Sequence, residues 1–127
     1  MAQDFENDLQ RNVGTSAVTL ITSNSDDAAI GVHICNVHST SVTFKLYIER
    51  SSQNYHLQFN TPLPVGTSFN SCAQGVKINL KSGDVLKVLS DTASSLDVVT
   101  SFIDEISTWV ILVLHLLVIL LVPHHSV

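Results

Sequence analysis

Val76–Val88 reads VKINLKSGDVLKV, two apolar-alternating runs joined by Lys81-Ser82-Gly83-Asp84. In the first run Val76, Ile78 and Leu80 fall on one side of an extended chain, with Lys77, Asn79 and Lys81 on the other. A period of two belongs to a half-buried antiparallel strand, one face on a core and one in solvent. Gly83 supplies the positive φ that a tight reversal needs, so the stretch predicts a β-hairpin. Its second arm sets Leu86 and Val88 inward against Lys87.

The same grammar recurs along the chain. Val13–Thr22 is a candidate first strand, closed by the turn-forming run Ser23-Asn24-Ser25-Asp26-Asp27. Ala28–Val37 follows, with Ile30, Val32 and Ile34 on one face. Ser41–Arg50 is the clearest strand, setting Val42, Phe44, Leu46 and Ile48 against Thr43, Lys45, Tyr47 and Glu49. A slip of one residue would expose that whole apolar set, which specifies its register. Tyr55, Leu57 and Phe59 predict a short strand that stops at Thr61-Pro62-Leu63-Pro64, because two prolines remove two backbone donors. Extended structure resumes over Thr67–Cys72, and Leu96–Ile106 is the last strand, with Val98, Phe102 and Ile106 among its apolar residues. Seven or eight strands divided by short turns predict an all-β fold, an antiparallel, jelly-roll-like β-sandwich over residues 13–107. The expected core holds Val42, Phe44, Leu46, Ile48, Val76, Ile78, Leu80, Leu86 and Val88. Residues 1–12, with Asp4, Glu6 and Asp8 and little to bury, are expected to form an N-terminal arm.

At 127 residues the chain is the size of one domain. Its hydrophobic content of 45% suffices for a core, and a core dominated by Val, Ile and Leu suits packed sheets. Eleven acidic against six basic residues give a formal net charge of −5, and the six, Arg11, Lys45, Arg50, Lys77, Lys81 and Lys87, are dispersed. Phosphate neutralisation needs clustered cations, so nucleic acid is excluded as a partner class. Cys35 and Cys72 are too few for a disulfide scaffold and lack metal-ligand spacing; they read as buried thiols. The polar, acidic start has no apolar h-region, so no secretory signal is expected, and the chain is placed in a reducing cytoplasm.

From Trp109 to Val122 the pattern breaks into WVILVLHLLVILLV, apolar except for His115. Fourteen residues make a helix of about 21 Å against a hydrocarbon core of about 30 Å, and no basic cluster flanks them. A membrane span is therefore disfavoured. Such a run left in water would aggregate. The readings open to residues 108–127 are a segment buried between subunits, a strand or helix buried within this one, a short membrane-inserting tip, and a frame-altered end. The first is preferred, with Trp109, Ile111, Leu112, Leu114, Leu116, Leu117, Ile119 and Leu120 as the subunit-interface residues.

No catalytic or cofactor constellation emerges. His33 and His38, the lone His56, and His124-His125 match no metal-ligand spacing. Asp26-Asp27 lacks a calcium loop, and the Ser-rich turns contain no GxSxG elbow. Adjacent Asp104-Glu105 would point to opposite faces of a strand, which spoils shared acid–base work. Neither metal nor cofactor is expected, and the chain is read as non-enzymatic.

Several stretches, in order, carry a resemblance: Ile30-Gly31-Val32-His33-Ile34-Cys35-Asn36-Val37; Tyr55-His56-Leu57 with Pro62-Leu63-Pro64-Val65-Gly66; Leu80–Val88; and Ala93-Ser94-Ser95-Leu96-Asp97-Val98-Val99. Over residues 15–106 the chain resembles small virion structural proteins of tailed bacteriophages, including those of marine cyanobacteria, and it departs from them after about Ile106. The resemblance implies a β-sandwich particle subunit without catalysis, serving in head decoration, neck or tail. Its expected partners are copies of itself and other virion structural proteins, and its expected location is the virion, assembled in the host cytoplasm. The alternative is a carbohydrate-binding, host-attachment module whose loops hold a surface glycan.

Overall fold

A computed structural model describes residues 4–104. These form nine strands: β1 (Asp4–Val13), β2 (Val18–Thr22), β3 (Asp27–Asn36), β4 (Val42–Arg50), β5 (Gln53–Leu63), β6 (Ser68–Asn70), β7 (Ile78–Leu80), β8 (Val85–Ser90) and β9 (Leu96–Asp104). One antiparallel sheet runs β1-β9-β3, with β6 and β7 both on the far edge of β3; the other runs β2-β8-β4-β5. Taken together, β6 and β7 are one edge strand interrupted by residues 71–77. Two four-position sheets wound in this order are a jelly roll.

The sandwich closes over side chains from the inner faces of both sheets. Val32, Ile34, Leu80, Leu96 and Val98 come from the first, and Val42, Phe44, Leu46, Leu86 and Val88 from the second. Phe44 and Phe69 meet across the gap with ring centroids 5.6 Å apart. Ile48 is half-buried against the same cluster. Cys72 is buried and Cys35 half-buried, and both are free thiols.

The stretch that announced the fold is not a hairpin. Its turn exists: the Asp84 N–H donates to the Lys81 carbonyl at 2.9 Å, and Gly83 has φ +93°. Ser82 keeps a negative φ, however, so the reversal lacks the doubled positive φ of a type I′ turn. A turn with positive φ only at its third position splays its flanks. The arms separate, β7 pairing with β3 in one sheet and β8 with β2 and β4 in the other. Val76, expected in the core, precedes β7 and is 61% exposed, because a 3-10 turn at Ala73–Gly75 delays the strand to Ile78.

Two further expectations change. Residues 4–12, read as part of an arm, form with Val13 a ten-residue strand on the edge of the first sheet. β5 ends within the expected stretch, at Leu63, but it is not short: it spans eleven residues and runs through Pro62, which an edge strand tolerates because one side of its backbone needs no partner.

The turn after β7 is fastened by a buried carboxylate. Asp84 accepts from Arg50 Nε and Nη2, both at 2.7 Å, and from the Lys81 backbone N–H at 2.8 Å. Ser23 completes the clasp, donating its N–H to the Asp84 carbonyl and accepting from Gly83 N–H. The Arg50 hydrogen bonds hold the Asp84 carboxyl below the usual carboxylate range, against the opposing effect of burial. Asp84 thus ties the end of β4 to the turn through its side chain, while backbone bonds of Gly83 and Asp84 hold the β2–β3 loop.

Candidate functional site

The longest strand, β5, lies on the open edge of the second sheet, and its pairing with β4 shifts register twice. Those bulges decide which side chains reach the surface. Tyr55 pairs with Ile48 and takes the core-facing side, whereas His56 pairs with Tyr47 on the outward side. With extra residues inserted on either side of Gln58, Phe59 also turns outward. The His56 ring sits 5.2 Å from Tyr47 and 4.9 Å, edge-on, from Phe59; the Lys45 ammonium lies 5.2 Å above the Phe59 ring. Tyr55, Leu57 and Phe59 are all exposed. The result is an aromatic ridge with a cation over one end, along a strand whose outer backbone edge has no partner among the described residues.

The opposite edge is β1, and it has a different character. Register with β9 places Glu6, Asp8 and Gln10 on the core-facing side, opposite Phe102, Thr100 and Val98. Phe5 and Leu9 take the outward side, and Leu9 lies beside the exposed Val99. β2 spans only Val18–Thr22, too short to cover the length of β1, so Glu6 remains exposed although it points toward the core side. Phe5, Glu6, Asn7, Ile30, Ser101 and Phe102 line an open cleft of about 490 Å³, in which Glu6 is the ionisable group.

Among the described residues no group of three or more His, Cys, Asp or Glu comes together to hold a metal, and no helix is long and apolar enough to cross a membrane. His33 and His56 are exposed on different sheets. Asp26 pairs with Lys81 at 3.6 Å. The interface residues expected from sequence, Trp109, Ile111, Leu112, Leu114, Leu116, Leu117, Ile119 and Leu120, lie outside the described residues, as does Glu105.

Sequence reading missed β1 as a strand and the ring cluster on β5. The stretch Asp4–Val13 has apolar residues only at Phe5, Leu9 and Val13, a spacing of four that matches neither clean alternation nor a buried run. The even spacing of Phe5 and Leu9, on one face of an extended chain, was the available signal. The ridge on β5 was hidden because simple alternation puts Tyr55 and Phe59 on one face; only the bulges bring His56 and Phe59 together.

No protein-family model matches the sequence, and neither does any curated protein. Among solved structures, the chain is similar to one described as Bacillus endospore appendages that form a family of disulfide-linked pili. The TM-score is 0.51 over 81% of this chain and 86% of that one, at 10% sequence identity. The likeness is one of fold.

Proposed function

We propose that this protein is a non-enzymatic structural subunit of a tailed-bacteriophage virion. It assembles in the host cytoplasm through repeated contacts with its own copies and other virion proteins, as a head decoration, neck or tail component. The observation that carries the reading is the pair of long edge strands, β1 and β5, flanked by exposed Phe5 and Leu9 on one side and Tyr55, Leu57 and Phe59 on the other. Soluble proteins usually shorten or cover such edges, because unpaired backbone groups beside apolar side chains template association. The sequence resemblance to virion proteins supports the reading. So does the use of jelly rolls as capsid modules, although a fold alone does not set a function. The structural neighbour belongs to pili, where the same architecture serves a repeated assembly. The apolar run from Trp109 to Val122 adds a second surface that requires burial. Sedimentation velocity of the full chain over a wide concentration range tests the reading: discrete larger species support it, and a monomer at every concentration refutes it.

The aromatic ridge favours one other reading, a carbohydrate-binding module, since exposed rings stack on sugar faces. A glycan array with selective hits that Phe59→Ala abolishes would replace the structural reading.

A further inference from the structure

The two edges left open among the described residues are complementary, and the geometry points to a head-to-tail contact in which β1 of one copy docks along β5 of the next. This inference rests on the assembly reading above and names its interface. Within one subunit β1 lies over β2, the first position of the second sheet, while β5 ends that sheet on the far side. The two edges therefore point away from each other, so a contact between them must join separate copies. Because they belong to different sheets, it also shifts the second copy by one layer, about 10 Å.

That layer shift determines which faces meet. The outward face of the first sheet and the outward face of the second point in opposite directions. Without rotation, sliding a copy until its first sheet continues its neighbour's second brings the core-facing side of β1 level with the outward side of β5. Glu6 and Asp8 are on that side of β1; on that side of β5 are His56 and, reaching over Phe59 from β4, the Lys45 ammonium. On the other side, Phe5 and Leu9 come beside Tyr55. Carboxylates meet a cation and apolar groups meet an aromatic ring. The strands also match in length, with ten residues in β1 and eleven in β5. Pairing β1 with another β1 would instead oppose like charges. The bulges in β5 shorten the run available for backbone pairing, so the contact rests on these side chains as much as on the ladder. Such a contact is heterologous: each copy keeps one free edge of each kind, and repetition gives a ring or an open filament.

Carbodiimide cross-linking, which joins a carboxylate directly to an amine, tests the contact on an equal mixture of ¹⁴N- and ¹⁵N-labelled full chain. The expected products are peptides joining Lys45 to Glu6 or Asp8 in mixed-isotope form. Lys45→Glu is expected to lower the assembled fraction several-fold in sedimentation, and adding Glu6→Lys and Asp8→Lys to the same chain to restore it. Circular dichroism confirms that each variant is folded. Oligomers without the mixed-isotope link, or a loss in Lys45→Glu that the double reversal does not rescue, overturn this interface while assembly stands. A wild-type chain that sediments only as a monomer overturns the assembly reading itself.

Discussion

Replacing Phe44 by alanine should cost more stability than any surface change in the molecule. The ring is 1% exposed, sits among the largest fully buried side chains, and bridges the two sheets by its contact with Phe69. Truncation of a buried Phe removes its transfer free energy and leaves a cavity, together about 3–5 kcal/mol. Of this, about 0.5–1.5 kcal/mol belongs to the ring pair, and a double-mutant cycle with Phe69→Ala measures that part. A domain of this size has a total stability of roughly 5–15 kcal/mol, so the variant retains a narrow margin or none. Urea unfolding followed by far-UV circular dichroism is the assay. With a denaturant slope of roughly 1.5 kcal/mol per molar, the midpoint should fall by about 2–3 M. Phe44→Leu, which keeps most of the volume, should lose less than about 1.5 kcal/mol. A Phe44→Ala loss below about 1 kcal/mol, or an equal loss from the outward Lys45→Ala, would refute the assignment of this residue to the shared core.

Three other outcomes are expected. Asp84 is held below the usual carboxylate range chiefly by the Arg50 side-chain hydrogen bonds, and Asp91 chiefly by its hydrogen bond from the Thr43 backbone N–H. A depressed folded-state pKa stabilises the fold above the unfolded value of about 3.9, and that contribution disappears as pH falls through the folded value. Asp84→Asn should therefore lower the urea midpoint at neutral pH, with the gap to wild type closing below about pH 4. Lys87, raised chiefly by its hydrogen bond to Glu49, acts in the opposite sense: its contribution is complete below about pH 10.4 and lost as pH rises through the folded value. Thr100 is fully buried with no hydrogen-bond partner for its hydroxyl among the described residues, so Thr100→Val should raise stability by about 1–2 kcal/mol in the same assay. Finally, truncation after Ser107 should leave the jelly roll folded by circular dichroism and the β1–β5 contact in place, but weaken self-association or abolish particle incorporation. Normal assembly of the truncated chain would remove the apolar tail from the interface.

Sequence alone disclosed the class of fold and the part of its core that alternates cleanly, because alternation over Val42–Ile48 and Leu86–Val88 reports which side of a strand is buried. It could not disclose which strands pair. The run through Gly83 alternates identically whether its arms lie in one sheet or two, and the choice was made by a turn whose single positive φ splays them. Alternation also fails where the core-facing side of an edge strand is polar, as at Glu6, Asp8 and Gln10 of β1, and where a bulge advances the pattern by one residue, as in β5. Both sheet edges proposed for assembly are of this kind. The edges of a sheet are where a strand is least constrained by its own core, and so they are where its sequence is least legible.

The central claim is that this jelly roll is a repeated structural element of a particle. A cryo-electron microscopy reconstruction of intact virions tests it most directly. Density for this chain is expected at symmetry-related positions, with the β5 edge of each copy against β1 of the next. Purified virions that lack the chain while infected cells contain it would contradict the claim.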